Sequence, residues 1–151
     1  MLISEKSNFF KKHEIRVSSK FPDLASRIQL KAKHVDIAAL LVDSVLHPLR
    51  VRFGACSIDS WLRSEELNRQ VGGSKDSDHL HGNAVDPRFN NNIDPLAIFK
   101  YIYESKMQTR QCIIYMYKKP IQLHVSINIP GREYKNDFLL SYEPGKYDFY
   151  D

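Results

Sequence analysis

The strongest constraint in this 151-residue chain is the run Ile121-Gln122-Leu123-His124-Val125-Ser126-Ile127, in which apolar and polar side chains alternate without a break. A period of two marks a strand lying on a core, because successive side chains point to opposite faces of a sheet. Leu123, Val125 and Ile127 are therefore expected in the core, and Gln122, His124 and Ser126 on the opposite face. The stretch from Cys112 to Tyr117 is also β-prone. A shorter β-like piece covers Ala55-Cys56-Ser57-Ile58, with Asp59 expected near the start of the loop that follows.

Helical periodicity separates these pieces. From Val35 the apolar residues Ile37, Leu40, Leu41, Val45 and Leu46 follow a helical spacing that runs toward Phe53 and stops at Gly54. Pro48 is expected to bend or interrupt the last turns, since proline lacks the donor that the ladder needs. A second helix is read through Ser64-Glu65-Glu66-Leu67-Asn68 and ends at Gly72-Gly73-Ser74. Asp94-Pro95 pairs an N-cap with proline at the first helical position. Leu96, Phe99 and Ile102 then share one face of a helix predicted to end near Met107. Residues 1–34 are read as short helical turns anchored by Phe9-Phe10 and Phe21-Pro22. With no repeat, low-complexity run or linker, and a length suited to one core, the expectation is a single α+β domain over residues 1–151. Its small antiparallel sheet would be packed with helices.

Composition narrows the function classes. Charged residues at 26% and hydrophobic residues at 42% fit a globular protein and exclude a disordered one. The net charge of +4 is spread along the chain in doublets such as Lys11-Lys12 and Lys118-Lys119, so no nucleic-acid partner is expected. It would favour meeting an anionic polymer. No stretch approaches the ~20 apolar residues of a membrane span, and Glu5-Lys6 interrupts any signal-like run, so synthesis and initial retention in a cytoplasm are expected. Cys56 and Cys112 match no zinc ribbon, redox pair or disulfide framework and are read as small buried hydrophobes.

The chemistry concentrates in Ser77-Asp78-His79-Leu80-His81-Gly82-Asn83-Ala84-Val85-Asp86. Zinc accepts imidazole nitrogen and carboxylate oxygen, and catalytic sites combine three protein ligands with one open position. His79 and Asp86 can supply two ligands, and His124, projecting from the polar face of its strand, is the candidate for a third. The spacing alone does not establish the set.

This segment carries the pattern Ser-x-His-x-x-Gly-x-Ala-x-Asp and resembles the zinc D-alanyl-D-alanine carboxypeptidases and related phage endolysins. Upstream, Arg63-Ser64-Glu65-Glu66-Leu67-Asn68-Arg69-Gln70-Val71-Gly72-Gly73 is similar to the stretch that precedes the metal motif in the phage branch. Leu123-His124-Val125-Ser126 resembles the strand bearing the second histidine ligand, and Asp43 to Phe53 the helix before the arginine loop. The likeness covers roughly residues 35–128. It implies the hedgehog/D-alanyl-D-alanine peptidase fold, with His79, Asp86 and His124 as zinc ligands and Arg63 holding a substrate carboxylate. Arginine suits that task through its planar fork. Ser77 is expected either to orient Asp86 or the substrate or to be only a loop hydroxyl, and His81 either to face solvent or to support the ligands from behind. A fourth protein ligand at His81 would close the site to water.

The resemblance breaks at the general base. The family places an acid three residues before the second histidine, here Ile121, or after a Gln-x-Ile-like segment, here at Tyr115 in Gln111-Cys112-Ile113-Ile114-Tyr115. No carboxylate occurs from Gln111 to Asn128. Either Tyr115, Tyr117, Gln122, His81 or Asp78 assists the water, or the metal site persists with little turnover. Two readings follow: a zinc metallopeptidase cutting peptidoglycan stem peptides, as carboxypeptidase or endopeptidase, and a non-catalytic wall-binding or virion-associated protein on the same fold. The likeness to the phage branch suggests a phage or prophage source, with delivery to the wall by a holin or within a particle. The tail from Gly131 to Asp151, rich in Tyr and charge, either packs on the domain or docks a partner.

Overall fold

The computed structural model describes residues 1–151. The chain opens with a hairpin, β1 (Leu2–Ser4) and β2 (Ser7–Lys11), followed by a 3-10 turn over Lys12–Arg16 and a short helix, α1 (Pro22–Ser26). The turns expected in residues 1–34 thus occur only after residue 11. Pairing displaces them earlier: Phe10 is buried against the core, and the Ser4 hydroxyl donates to Asp43 Oδ1 at 2.5 Å. No Gly or Asn announces that hairpin, so local pattern does not reveal it.

One long helical column then crosses the sheet as α2 (Ala32–Leu41), a π-helical turn (Val42–Leu46) and α3 (His47–Phe53). The expected irregularity near Pro48 lies one turn ahead of it, where the His47 N–H reaches back to the Val42 carbonyl. Pro48 has no N–H to return to Ser44, and the wider turn accommodates the lost bond. The buried stripe is Ala38, Leu41, Val42, Val45, Leu46 and Leu49, whereas Leu40, read from the sequence as part of the apolar face, is half exposed. Gly54, with φ of 91°, stops the column as expected.

β3 (Cys56–Ser60) runs two residues further than its apolar part suggested, and Asp59 belongs to it. Next come α4 (Glu65–Gln70), a 3-10 turn over Asp78–His81, β4 (Ala84–Phe89), α5 (Pro95–Glu104), β5 (Gln111–Tyr115) and β6 (Gln122–Ser126). Ser64 Oγ caps α4 by accepting from the Leu67 N–H, and Asp94 Oδ1 caps α5 by accepting from the Leu96 N–H. α5 ends three residues short of Met107, because Lys106 adopts φ of 57°. The tail packs on the domain as β7 (Asp137–Glu143) and β8 (Lys146–Phe149).

Six strands form one sheet in the order β3-β4-β6-β5-β7-β8. The α+β class is as expected, and every pairing in the sheet is antiparallel except β5 with β7, which is parallel. Leu123, Val125 and Ile127 enter the core beneath the helical column and α5. On the other face the register aligns His124 with Ile113 and Gln122 with Tyr115. Paired residues in an antiparallel ladder share a face, so Tyr115 lies on the His124 side of the sheet.

Candidate metal centre and its cleft

Three elements carry the cluster. The 3-10 turn presents His79, β4 presents Asp86 and β6 presents His124. His79 Nε2 lies 3.2 Å from Asp86 Oδ1, and His124 Nδ1 lies 2.9 Å from the same oxygen. All three donor atoms fall within 4.8 Å of one another, a group able to hold a metal ion. Ligands on a tetrahedral zinc stand about 3.3 Å apart, given bonds near 2.0–2.1 Å, so only small movements would seat the ion.

The supports are as informative as the donors. His79 is buried, and its Nδ1–H donates to the Trp61 carbonyl at 2.6 Å, which leaves Nε2 bare toward the cluster. Burial lowers the basicity of His79, with Asp86 opposing, and a neutral imidazole is the form that binds metal. Burial works against the Asp86 carboxylate, yet His79 and His124 hold it far below the ordinary range. Trp61 is itself fixed by Nε1–H donation to the Gly82 carbonyl at 3.0 Å. None of this second layer shows in the motif, since a backbone carbonyl carries no sequence signature.

Ser77 caps the turn, its Oγ accepting from the His79 N–H at 3.2 Å. It therefore supports His79 through the backbone of the turn. His81 turns outward to Arg132, with Nη1 and Nε2 3.0 Å apart, and takes no part in the cluster. Asp78 is likewise turned away and is bound by Arg110 Nη1 at 2.7 Å, Arg132 Nε at 2.8 Å and Asn83 Nδ2 at 3.1 Å. Arg132 also reaches Asp76 twice, at its carboxylate and its carbonyl. Arg110 and Arg132 thereby lock the turn that carries His79. Neither stands out in the sequence, because each pairs across more than thirty residues.

Arg63 borders the cluster. Its Nη2 lies 3.8 Å from Asp86 Oδ2, Nε donates to Ser60 Oγ at 3.2 Å, and Nη1 donates to Asn68 Oδ1 at 3.2 Å. Asn68 in turn donates to the Ser74 carbonyl at 2.8 Å, so α4 and the loop after it aim the guanidinium. The cleft in front measures about 470 Å³ and is lined by Arg63, Asp86, Asp59, Arg88, Tyr117 and Lys118 among others. Its carboxylates are Asp59 and Asp86 alone. Asp59 sits where the β3–β4 register shifts, between Ile58 and Ser60, and is paired with Arg88 Nη2 at 2.5 Å.

Tyr115 is half buried beside Tyr117 and Tyr147, with ring centroids 6.1 Å and 6.3 Å away, and Lys118 Nζ stands 4.5 Å above its ring. Burial, then Tyr147, pushes the phenol well above its ordinary value. A phenol kept protonated is a hydrogen-bond donor and accepts no proton from water at neutral pH. Gln122 accepts from Arg88 Nη2 at 3.3 Å. Cys112 is buried and Cys56 partly so; burial pushes the Cys56 thiol up to about 12, and neither joins the cluster.

The family model for peptidase M15 matches residues 16–126, which takes in Arg63, the turn that carries His79, β4 and β6. No curated protein matches the chain. M15 peptidases depend on zinc, and the donors gathered here are of the type that zinc accepts. With the match spanning well over half of its length, the chain belongs to the peptidase M15 family.

Proposed function

We propose that this protein is a zinc metallopeptidase that cuts peptidoglycan stem peptides. The observation that carries the reading is the three-donor group of His79, Asp86 and His124, pinned by the Trp61 carbonyl and opening onto a cleft that Arg63 borders. Zinc, when bound, supplies Lewis acidity that polarises a scissile carbonyl and acidifies water. The chain's own residues supply placement. Arg63 holds the peptide carboxylate, and Ser60 and Asn68 keep the guanidinium from swinging. Tyr115, protonated and on the His124 face, donates to the oxygen that gains charge as the carbonyl is attacked. A phage or prophage source, with delivery to the wall from inside a cell or on a particle, belongs to the same proposal.

Metal analysis together with hydrolysis of stem peptides tests it. About one zinc per chain and chelator-sensitive cleavage are expected. Arg63→Ala is expected to keep its zinc while kcat/KM falls roughly 10- to 100-fold, as for other lost charge-assisted contacts. Unchanged kinetics would remove Arg63 from substrate binding. Tyr115→Phe deletes one hydroxyl and should lower kcat by roughly 100-fold with KM and zinc content unaltered. Full activity in that variant would return the phenol to a packing role.

One observation favours a second reading, a wall-binding protein without turnover. The cleft has no free carboxylate, since Asp86 sits in the donor cluster and Asp59 is engaged by Arg88. Zinc with peptide binding but no cleavage would establish it.

A further inference from the structure

The cleft beside Asp86 gathers Lys20, Arg63, Arg88, Lys118 and Lys119 against only Asp59 and Asp86. Arg88 is neutralised by Asp59, and Arg63 is hydrogen-bonded through Nε and Nη1 while its Nη2 stands 3.8 Å from Asp86 Oδ2. Lys20, Lys118 and Lys119 take part in none of the fold's ion pairs. Three unpaired ammonium groups therefore rim a concave surface that already contains an arginine. Like charges gathered in this way repel one another, and a concave wall focuses their field on whatever enters. Desolvation lowers the Lys118 ammonium below its ordinary value, and Lys20 and Arg63 add to the effect against Asp86.

Lys118 is the best placed of the three. It stands on the turn between β5 and β6, with its N–H donating to the Tyr115 carbonyl at 3.3 Å and its Nζ centred 4.5 Å above the Tyr115 ring. A cation seated on an aromatic face is held in one region and does not sweep through solvent. Backbone and side chain thus fix a positive charge on the cleft wall formed by Tyr117, Lys118 and Lys119, apart from the one Arg63 provides.

We propose that the cleft selects peptides bearing a second carboxylate near the scissile bond, Arg63 taking the first and Lys118 the second, with Lys20 and Lys119 drawing the substrate in. This rests on the peptidase reading given above. It narrows the substrate from peptides with a free end to acidic peptides in particular. Lys118 is on this account a specificity residue.

Two synthetic peptides test the idea, both ending in D-alanyl-D-alanine and differing only in carrying glutamate or glutamine just before that end. The zinc-loaded protein is expected to cleave the glutamate peptide with kcat/KM roughly two- to fivefold above the glutamine peptide, the gain of one partly exposed ion pair. Lys118→Ala should bring that ratio toward one, Lys118→Arg should keep it, and 0.5 M salt should shrink it. Lys135→Ala, outside the cleft, should leave the ratio as it is. Equal cleavage of the two peptides would overturn the proposal while leaving the peptidase reading intact. Should neither be cleaved, the carboxypeptidase form of the peptidase reading fails, and calorimetric binding of the same pair decides the rest. Tighter binding of the glutamate peptide, lost in Lys118→Ala, would uphold carboxylate selection, and equal binding would overturn it.

Discussion

His124→Ala is expected to purify with almost no zinc, whereas the unaltered protein should hold about one ion per chain. The strand β6 aims His124 Nδ1 at Asp86 Oδ1, 2.9 Å away, so the imidazole completes the donor group beside His79. Losing one of three donors costs more than the roughly 10- to 100-fold in affinity that weakening an outer contact costs. Activity should fall with metal content. The fold should survive, because the core side of β6 is made by Leu123 and Val125, with Ile127 just beyond its end, and the substitution touches none of them. Metal analysis and circular dichroism on one preparation separate the two effects. Normal zinc content in a folded His124→Ala protein would exclude the residue from the centre.

The second large effect is expected in stability. Asp78 and Arg110 are buried, with side chains 2% and 4% exposed, and Arg132 Nε reaches the same carboxylate at 2.8 Å. Burial disfavours the charge on Asp78, but donation from Asn83 and the proximity of Arg110 hold its carboxyl below the ordinary value. Asp78→Ala leaves the Arg110 guanidinium buried and uncompensated, a change that costs ~3–5 kcal/mol in comparable sites. At this chain length each kcal/mol moves Tm by about 2–4 °C, so a drop on the order of 10 °C is expected. Asp78→Asn, which keeps the shape and some of the bonds, should lie between. Denaturant midpoints of the three proteins provide the check. A loss below ~1 kcal/mol in Asp78→Ala, the scale of an ordinary hydrogen bond, would show that the buried pairing contributes little.

The strand and the helix ends around the cluster are legible in the sequence because they obey local rules, whereas grouping His79 and Asp86 with His124 rests on the family resemblance. His124 stood on the polar phase of an alternating strand, and a period of two is insensitive to what packs on top of it. Gly54, Ser64 and Asp94 marked helix ends through capping chemistry that a few residues decide. The hairpin at residues 2–11 was missed for want of a turn signal, and its burial depends on Asp43 in a helix far along the chain. The π-turn was missed as well: Pro48 announces a broken bond but not where the extra residue is absorbed. The sequence places Ser77 and His81 beside His79 without naming their partners. Their actual partners, a backbone N–H and Arg132, follow from the turn's geometry. Long-range pairs such as Asp78 with Arg132 leave no periodic trace. The same holds for the cationic rim, whose members come from separate segments at residues 18–20, 63, 88 and 117–119.

The parallel pairing of β5 with β7 sets an order on biosynthesis. β5 can pair with β6 as soon as residue 126 has been made, but its other edge stays open until residues 137–141 emerge. Arg132, which clamps the turn that carries His79, is made in the same interval. His79 and Asp86 are thus translated well before the strand and the arginine that hold their surroundings still. Parallel, long-range pairings close slowly. A nascent chain therefore holds all three donors of the cluster before the strand and the arginine that fix their surroundings have been made.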